Sequence, residues 1–344
     1  MPEVYDAILI VGFGGPEGRD DVLPFLENVT RGRNIPRERL LEVAEHYFHF
    51  DGVSPLNGQI RDLIAALRPE LAARGITTPI YWGNRNWHPL LTDTIPQMAA
   101  AGIQRVLAIV HAAYSSYSSC RQYQENIEQA RLAVGPQAPV VDKIRAFFND
   151  PGFIAANADR LRDALAELPP AQRDRVHIAF TAHSIPQRMA DTCEYAQQLT
   201  ETGRLVAESV GIPASRWQLV YQSRSGRPED PWLGPDICDH LGDLKAQGVE
   251  SVAIAPIGFL SDHIEVLYDL DDEARHKADE IGLTLVRAKT VGTHPSFVQG
   301  LASLVEARMT GATVPVCGLM SARPDACAAN CCPAATARPL HSDA

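Results

Sequence analysis

Apolar runs of four to seven residues punctuate this chain at 7–11, 79–83, 105–110 and 140–144, then again at 176–182, 218–222, 251–257 and 283–287. The longer stretches between them carry apolar residues at three- and four-residue spacing. Short continuous apolar runs predict strands buried on both faces, and the helical spacing predicts crossover helices between them. The alternation therefore predicts an α/β fold, a doubly wound parallel sheet occurring twice, which gives two similar lobes with a cleft between them. Asn149-Asp150-Pro151-Gly152 reads as the boundary turn, dividing 1–149 from 150–294. A last helix at 295–309 is expected to pack back on the first lobe. Beyond Gly311 the helical spacing stops, and 311–344 forms an irregular tail of small residues, Pro and Arg that holds Cys317, Cys327, Cys331 and Cys332.

A length of 344 residues exceeds what one core usually supports, in keeping with two domains. Hydrophobic residues at 45% and charged residues at 21% are ordinary globular values, and no apolar run reaches the roughly 18 residues that span a bilayer. The N-terminal residues lack a basic region before a signal-like apolar run. A soluble, cytoplasmic protein without stable membrane insertion is expected. A net charge of -11 argues against non-specific nucleic-acid binding, which needs clustered cations against phosphate. Arg31, Arg33, Arg37 and Arg39 are a local exception. They suit a small carboxylated ligand, or else a solvated helix start.

Two stretches carry the candidate chemistry: Phe180-Thr181-Ala182-His183-Ser184-Ile185-Pro186, and Gly258-Phe259-Leu260-Ser261-Asp262-His263-Ile264-Glu265. Each follows an apolar run, so both bring polar side chains to the carboxyl edge of one sheet, where open α/β folds bind ligands. Glu265, Asp269, Asp272 and Glu273 share about a 100° arc of one helix face. Such a row of hard oxygens passes a hydrated divalent cation inward; the alternative is a wet amphipathic face, with Asp262 and Glu265 forming a capping box. His183 suits proton acceptance or binding of a borderline metal, and His263 suits a supporting place or packing at the helix start. Gly12-Phe13-Gly14-Gly15-Pro16 lacks GxGxxG spacing and no phosphate loop occurs, which excludes a nucleotide site. Seven cysteines without a CxxC pair argue against disulfides and a zinc ribbon. Four thiols in a tail poor in core formers suggest an iron–sulfur cluster, with unligated thiols as the alternative.

From residue 5 to residue 309 the chain resembles the ferrochelatase family. His183-Ser184-Ile185-Pro186 and the run from Gly258 to Asp269 look like that family's two most specific motifs, and Gly52-Val53-Ser54-Pro55-Leu56 and Trp232-Leu233-Gly234-Pro235-Asp236 add independent matches. The resemblance implies two Rossmann-like lobes, each a parallel four-stranded sheet flanked by helices, with a porphyrin in the cleft. It implies His183 and Glu265 as catalytic residues at the central metal site, with Asp269, Asp272 and Glu273 extending the metal route. Ser54, Tyr123, Tyr47 and Phe13 would meet the tetrapyrrole, and the loop around Arg31 would form a polar lip near its propionates. Phe13 departs from firmicute relatives, which carry an iron-ligating tyrosine there.

The short polar lip and Gln222-Ser223-Arg224-Ser225-Gly226 resemble actinobacterial members, which implies a soluble monomer using Fe2+ and coproporphyrin III, with a [2Fe-2S] cluster. Cys120, after Tyr117-Ser118-Ser119, would join three of Cys317, Cys327, Cys331 and Cys332, with Cys331 or Cys332 spare. Alternatives are use of protoporphyrin IX, insertion of cobalt or nickel, and a haem or iron–sulfur sensor without enzymatic activity.

Overall fold

A computed structural model describes residues 4–32, 35–227 and 229–334 of the chain. The apolar runs form eight strands: β1 (Ala7–Gly12), β2 (Ile80–Asn84), β3 (Arg105–Val110), β4 (Val140–Lys143), β5 (His177–His183), β6 (Trp217–Gln222), β7 (Ser251–Ala255) and β8 (Thr284–Arg287). All pairings are parallel, in the orders β2-β1-β3-β4 and β6-β5-β7-β8. Helices cover both faces of each sheet, which is why β1 and β7 are buried at every position. Strand order reverses between β1 and β3, and again between β5 and β7. Neighbouring loops leave the sheet in opposite directions at such a switch point, opening a crevice at the strands' carboxyl ends. Phe13 and His111 follow the first pair, and His183 and the Gly258–Glu265 motif follow the second.

Each lobe has a core of its own on one sheet face, and the other faces share a third. One continuous set of buried side chains runs from Ile8, Ile10 and Leu107 through Phe153 and Phe297 to Phe180 and Ala253. The helix Pro295–Thr310 packs against both Leu56–Ala73 and Pro151–Glu167, so it joins the halves. Asp150 caps the helix Pro151–Glu167 by accepting from the Gly152 and Phe153 amides at 2.9 and 3.2 Å, with Pro at the first turn. Across the seam, Tyr114 Oη donates to Ile257 O at 2.8 Å and Thr202 Oγ1 donates to Phe148 O at 2.8 Å.

Residues 311–334 contain no regular element and run across the seam. The Cys317 amide donates to Asn149 O at 2.9 Å and the Leu319 amide to Glu201 Oε1 at 2.6 Å. The lip is the helix Arg37–His49. Its basic character is weaker than the sequence suggests, because Arg37 pairs with Glu27 at 3.5 Å and Arg39 with Glu42 at 2.8 Å. Arg31 is exposed, while Arg33 and tail residues 335–344 lie outside the described residues. Among the described residues no helix is long and apolar enough to cross a membrane.

Candidate active site

His183 is the last residue of β5, in register with Gln222 of β6. Its Nδ1 lies 2.5 Å from Ser184 O. A carbonyl only accepts, so Nδ1 carries the proton and the neutral ring keeps its lone pair on Nε2. That nitrogen lies 3.6 Å from Glu265 Oε2, on side chains that are 34% and 49% exposed and therefore open to the cleft. Tyr195 Oη donates to His183 O at 3.1 Å, fixing the backbone behind the ring. Glu265 is brought there because the loop after β7 crosses the end of β5 at Gly258, where a Cβ would lie 2.5 Å from that of Ala182. His263 Nδ1 is 4.0 Å from Glu265 Oε2, its ring edge-on to Phe259, and burial lowers its pKa.

The acidic row differs from the single α-helix expected. Ile264–Val266 starts as α-helix, Leu267–Glu273 is wound as π-helix, and Ala274–Glu280 returns to α. The wider turn advances less than 100° per residue, so Glu265, Asp269 and Glu273, four apart, stay aligned while Asp272 swings aside. Asp272 instead meets His276 Nδ1 at 3.2 Å and His49 Nε2 of the lip at 3.9 Å. Asp269 lies deepest: burial pushes its pKa up to about 7 and the charges of Glu265 and Glu273 add to this, against hydrogen bonds from Ser223 and Gln222. Gln222 Nε2 donates to Asp269 at 3.2 Å and Ser223 Oγ donates to the same oxygen. The capping box does not form. His263 is the N-cap residue, without a side-chain cap, and Asp262 turns away to Arg287 at 3.1 Å.

The opposite wall comes from the first lobe. The Arg85 guanidinium lies 5.6 Å from the Phe13 ring centre and 4.6 Å from that of Tyr123, tying these two expected contacts into one stack. Burial raises the Tyr123 pKa, and Arg85 opposes that shift. Ser54 is buried, its Oγ accepting from the Leu56 amide at 3.5 Å. Tyr47 packs on Phe25 with ring centres 5.8 Å apart, and its pKa is raised by burial and then by the charge of Glu265. Beside it, His46 stacks on Tyr268 at 3.8 Å and 8°, closing lip helix against π-turn. The His183–Glu265 pair, the Asp269 carboxylate and the Phe13–Arg85–Tyr123 stack are thus each fixed by named contacts.

A model of the ferrochelatase family matches residues 5–309. The chain belongs to the ferrochelatase family. A ferrochelatase of Rhodopirellula baltica is 52% identical over 98% of this chain and 98% of its own length. Coproporphyrin III ferrochelatases of Streptomyces coelicolor and Streptomyces griseus are 50% and 49% identical, each over 100% of this chain and 99% and 97% of their own lengths. Among solved structures, SirB from Bacillus subtilis with Fe3+ has a TM-score of 0.53 at 11% identity, covering 89% of this chain and 96% of its own; that likeness shows the two-lobe chelatase fold alone.

Among the described residues, no three His, Cys, Asp or Glu side chains converge on a single metal ion. The Cys331 and Cys332 sulfurs are 3.5 Å apart, and Cys120 and Cys327 line one small cavity with Lys143 and Arg323. Cys317 is held away by its bond to Asn149 at the start of the tail. Cys193 lies close enough to Cys331 to feel its charge.

Sequence reasoning missed Arg85, His46, His49, Tyr268, Gln222 and Ser223 as site residues. His46 and His49 fall three apart on one helix face, which is a signal a reader could use. Arg85 follows β2 without any motif, and only the fold brings it to Tyr123.

Proposed function

We propose that this chain inserts ferrous iron into coproporphyrin III, releasing the two pyrrole protons and forming iron coproporphyrin. The observation that carries this is the anchored imidazole, its free Nε2 facing the Glu265 carboxylate at 3.6 Å at the carboxyl end of β5. The macrocycle rests on the wall of Phe13, Tyr123, Tyr47 and Ser54. Phe13 offers iron no ligand, so the product's axial coordination comes from elsewhere. The cleft holds the macrocycle bent, with its nitrogen lone pairs tilted toward His183; such strain draws on binding energy elsewhere on the ring. Hydrated iron passes along Glu273, Asp269 and Glu265, exchanging water for carboxylate oxygen. His183 Nε2 and Glu265 hold it until the pyrrole nitrogens replace them. Once iron has left, Nε2 regains its lone pair and takes one proton, and Glu265 accepts or relays the other.

The choice of coproporphyrin rests on the named Streptomyces relatives and on the short polar lip, which suits four carboxylates better than two carboxylates and two vinyls. Anaerobic Fe2+ insertion, measured side by side with coproporphyrin III and protoporphyrin IX, should favour coproporphyrin; preference for protoporphyrin would overturn the substrate assignment. A cytoplasmic, monomeric enzyme belongs to the same reading.

Cys120, Cys327, Cys331 and Cys332 fit a [2Fe-2S] cluster as a donor set. The Cys331 and Cys332 sulfurs lie 3.5 Å apart, Cys120 and Cys327 line one small cavity, and Cys327 is held well toward thiolate by its Cys120 neighbour and by Lys143 and Arg323. Those four residues would hold it, and when bound it supplies one-electron transfer. Iron and acid-labile sulfide in protein purified anaerobically test this; their absence would remove the cluster from the account.

A further inference from the structure

The thiol group sits among cations that insertion chemistry does not use. Lys143, in β4, is fixed by pairing with Ala108 of β3 and puts Nζ 3.4 Å from Cys120 Sγ. Arg323 binds Glu194 at 2.7 Å with one nitrogen and lies 3.9 Å from Cys331 Sγ with the other. Arg145 is buried, 8% exposed, and its Nη2 has no hydrogen-bond partner, although Nη1 donates to Ala146 O. It lines a cavity of about 20 Å³ together with Cys120, Cys327, Lys143 and Arg323. A buried donor left unmade is costly, so this N–H awaits an acceptor in that cavity.

We propose that Lys143 sets the reduction potential of the cluster held by Cys120, Cys327, Cys331 and Cys332, with Arg323 and Arg145 completing a cationic shell. The inference rests on the cluster reading above. Reduction adds an electron to a core that is already anionic, so nearby cations and N–H···S bonds stabilise the reduced form more than the oxidised form and raise the potential. Lys143 is the most effective of the three because it is the cation bonded to a ligand sulfur at the shortest distance, on a strand that cannot move away.

The test is a mediator titration of the holoprotein, followed by electron paramagnetic resonance, in wild type, Lys143→Met and Lys143→Arg. Lys143→Met should lower the potential at unchanged iron and sulfide content, and Lys143→Arg should restore most of the shift. An unchanged potential in a fully loaded Lys143→Met protein overturns the inference. Should that variant fail to assemble its cluster, resonance Raman of wild type decides: Fe–S stretches should shift in deuterium oxide, and unshifted bands overturn the inference. Wild type without iron and sulfide sinks the cluster reading itself, a result distinct from either of the others.

Discussion

His183 acquires its usable nitrogen from a neighbour: the Ser184 carbonyl claims Nδ1 and leaves Nε2 for metal or proton. The sequence made this imidazole and Glu265 legible because one ends a buried strand and the other stands in the motif that follows a buried strand, and the carboxyl ends of strands open on the crevice. It could not show how Asp269 is tuned, since Gln222 and Ser223 approach from β6, far off in the chain. Asp269 titrates at about 7, above the ordinary carboxylate range, so it stays protonated in the fold where the unfolded chain would already ionise. Its stability cost is absent at low pH, grows as pH rises above about 4, and is complete above about 7. Asp269→Asn should therefore raise the melting temperature at pH 8 and leave it nearly unchanged at pH 4, as read by calorimetry. The same variant should flatten the rise of insertion rate at low iron between pH 6 and pH 8. A wild-type pH profile in Asp269→Asn would remove this carboxylate from the metal route.

At the scale of elements, the eight strands stood out because short apolar runs have few other uses in an α/β chain. The π-turn did not. Winding of that kind is imposed by packing, here between Leu270 in the core and the lip residues above Tyr268, and no residue spacing announces it. The meeting of helices was equally hidden. Gly152 lies so close to the helix Pro295–Thr310 that a Cβ would stand 2.2 Å from Ser296 O and 3.0 Å from the Gly300 Cα. Gly152→Ala must push backbone from backbone, costing about 1–3 kcal/mol as overpacking. Loss of the cap in Asp150→Ala costs about 1 kcal/mol. Urea unfolding should rank Gly152→Ala as the more damaging; the reverse order would mean that the two helices separate easily.

Viewed whole, the molecule is two sheets that share a core between them and keep one each on their other faces, with a tail tied to both. Composition and periodicity gave the number of lobes but not their fusion, because a buried face carries no mark of which partner covers it. The tail shows the same limit: the resemblance left Cys331 or Cys332 as the surplus thiol, and no spacing announced that the Cys317 amide bonds to Asn149 O at the seam. Far from the cleft, His177 and His240 pack with ring centres 5.4 Å apart, and each has a buried Nε2 without a partner. Burial lowers both pKa values, that of His177 to about 4. The unfolded chain takes up protons near pH 6.5 that the fold refuses, so stability is full above that value and is lost as pH falls toward 4. His177→Gln should lessen the drop in melting temperature between pH 7 and pH 5. An equal drop would place the acid sensitivity elsewhere.

Iron delivery by His183 and Glu265 is tested most directly by anaerobic Fe2+ insertion into coproporphyrin III by His183→Ala, with porphyrin affinity read from fluorescence in the same sample. Affinity close to wild type with insertion slowed at least about 10²-fold is the expected result. Insertion at the wild-type rate by the porphyrin-loaded variant would contradict it.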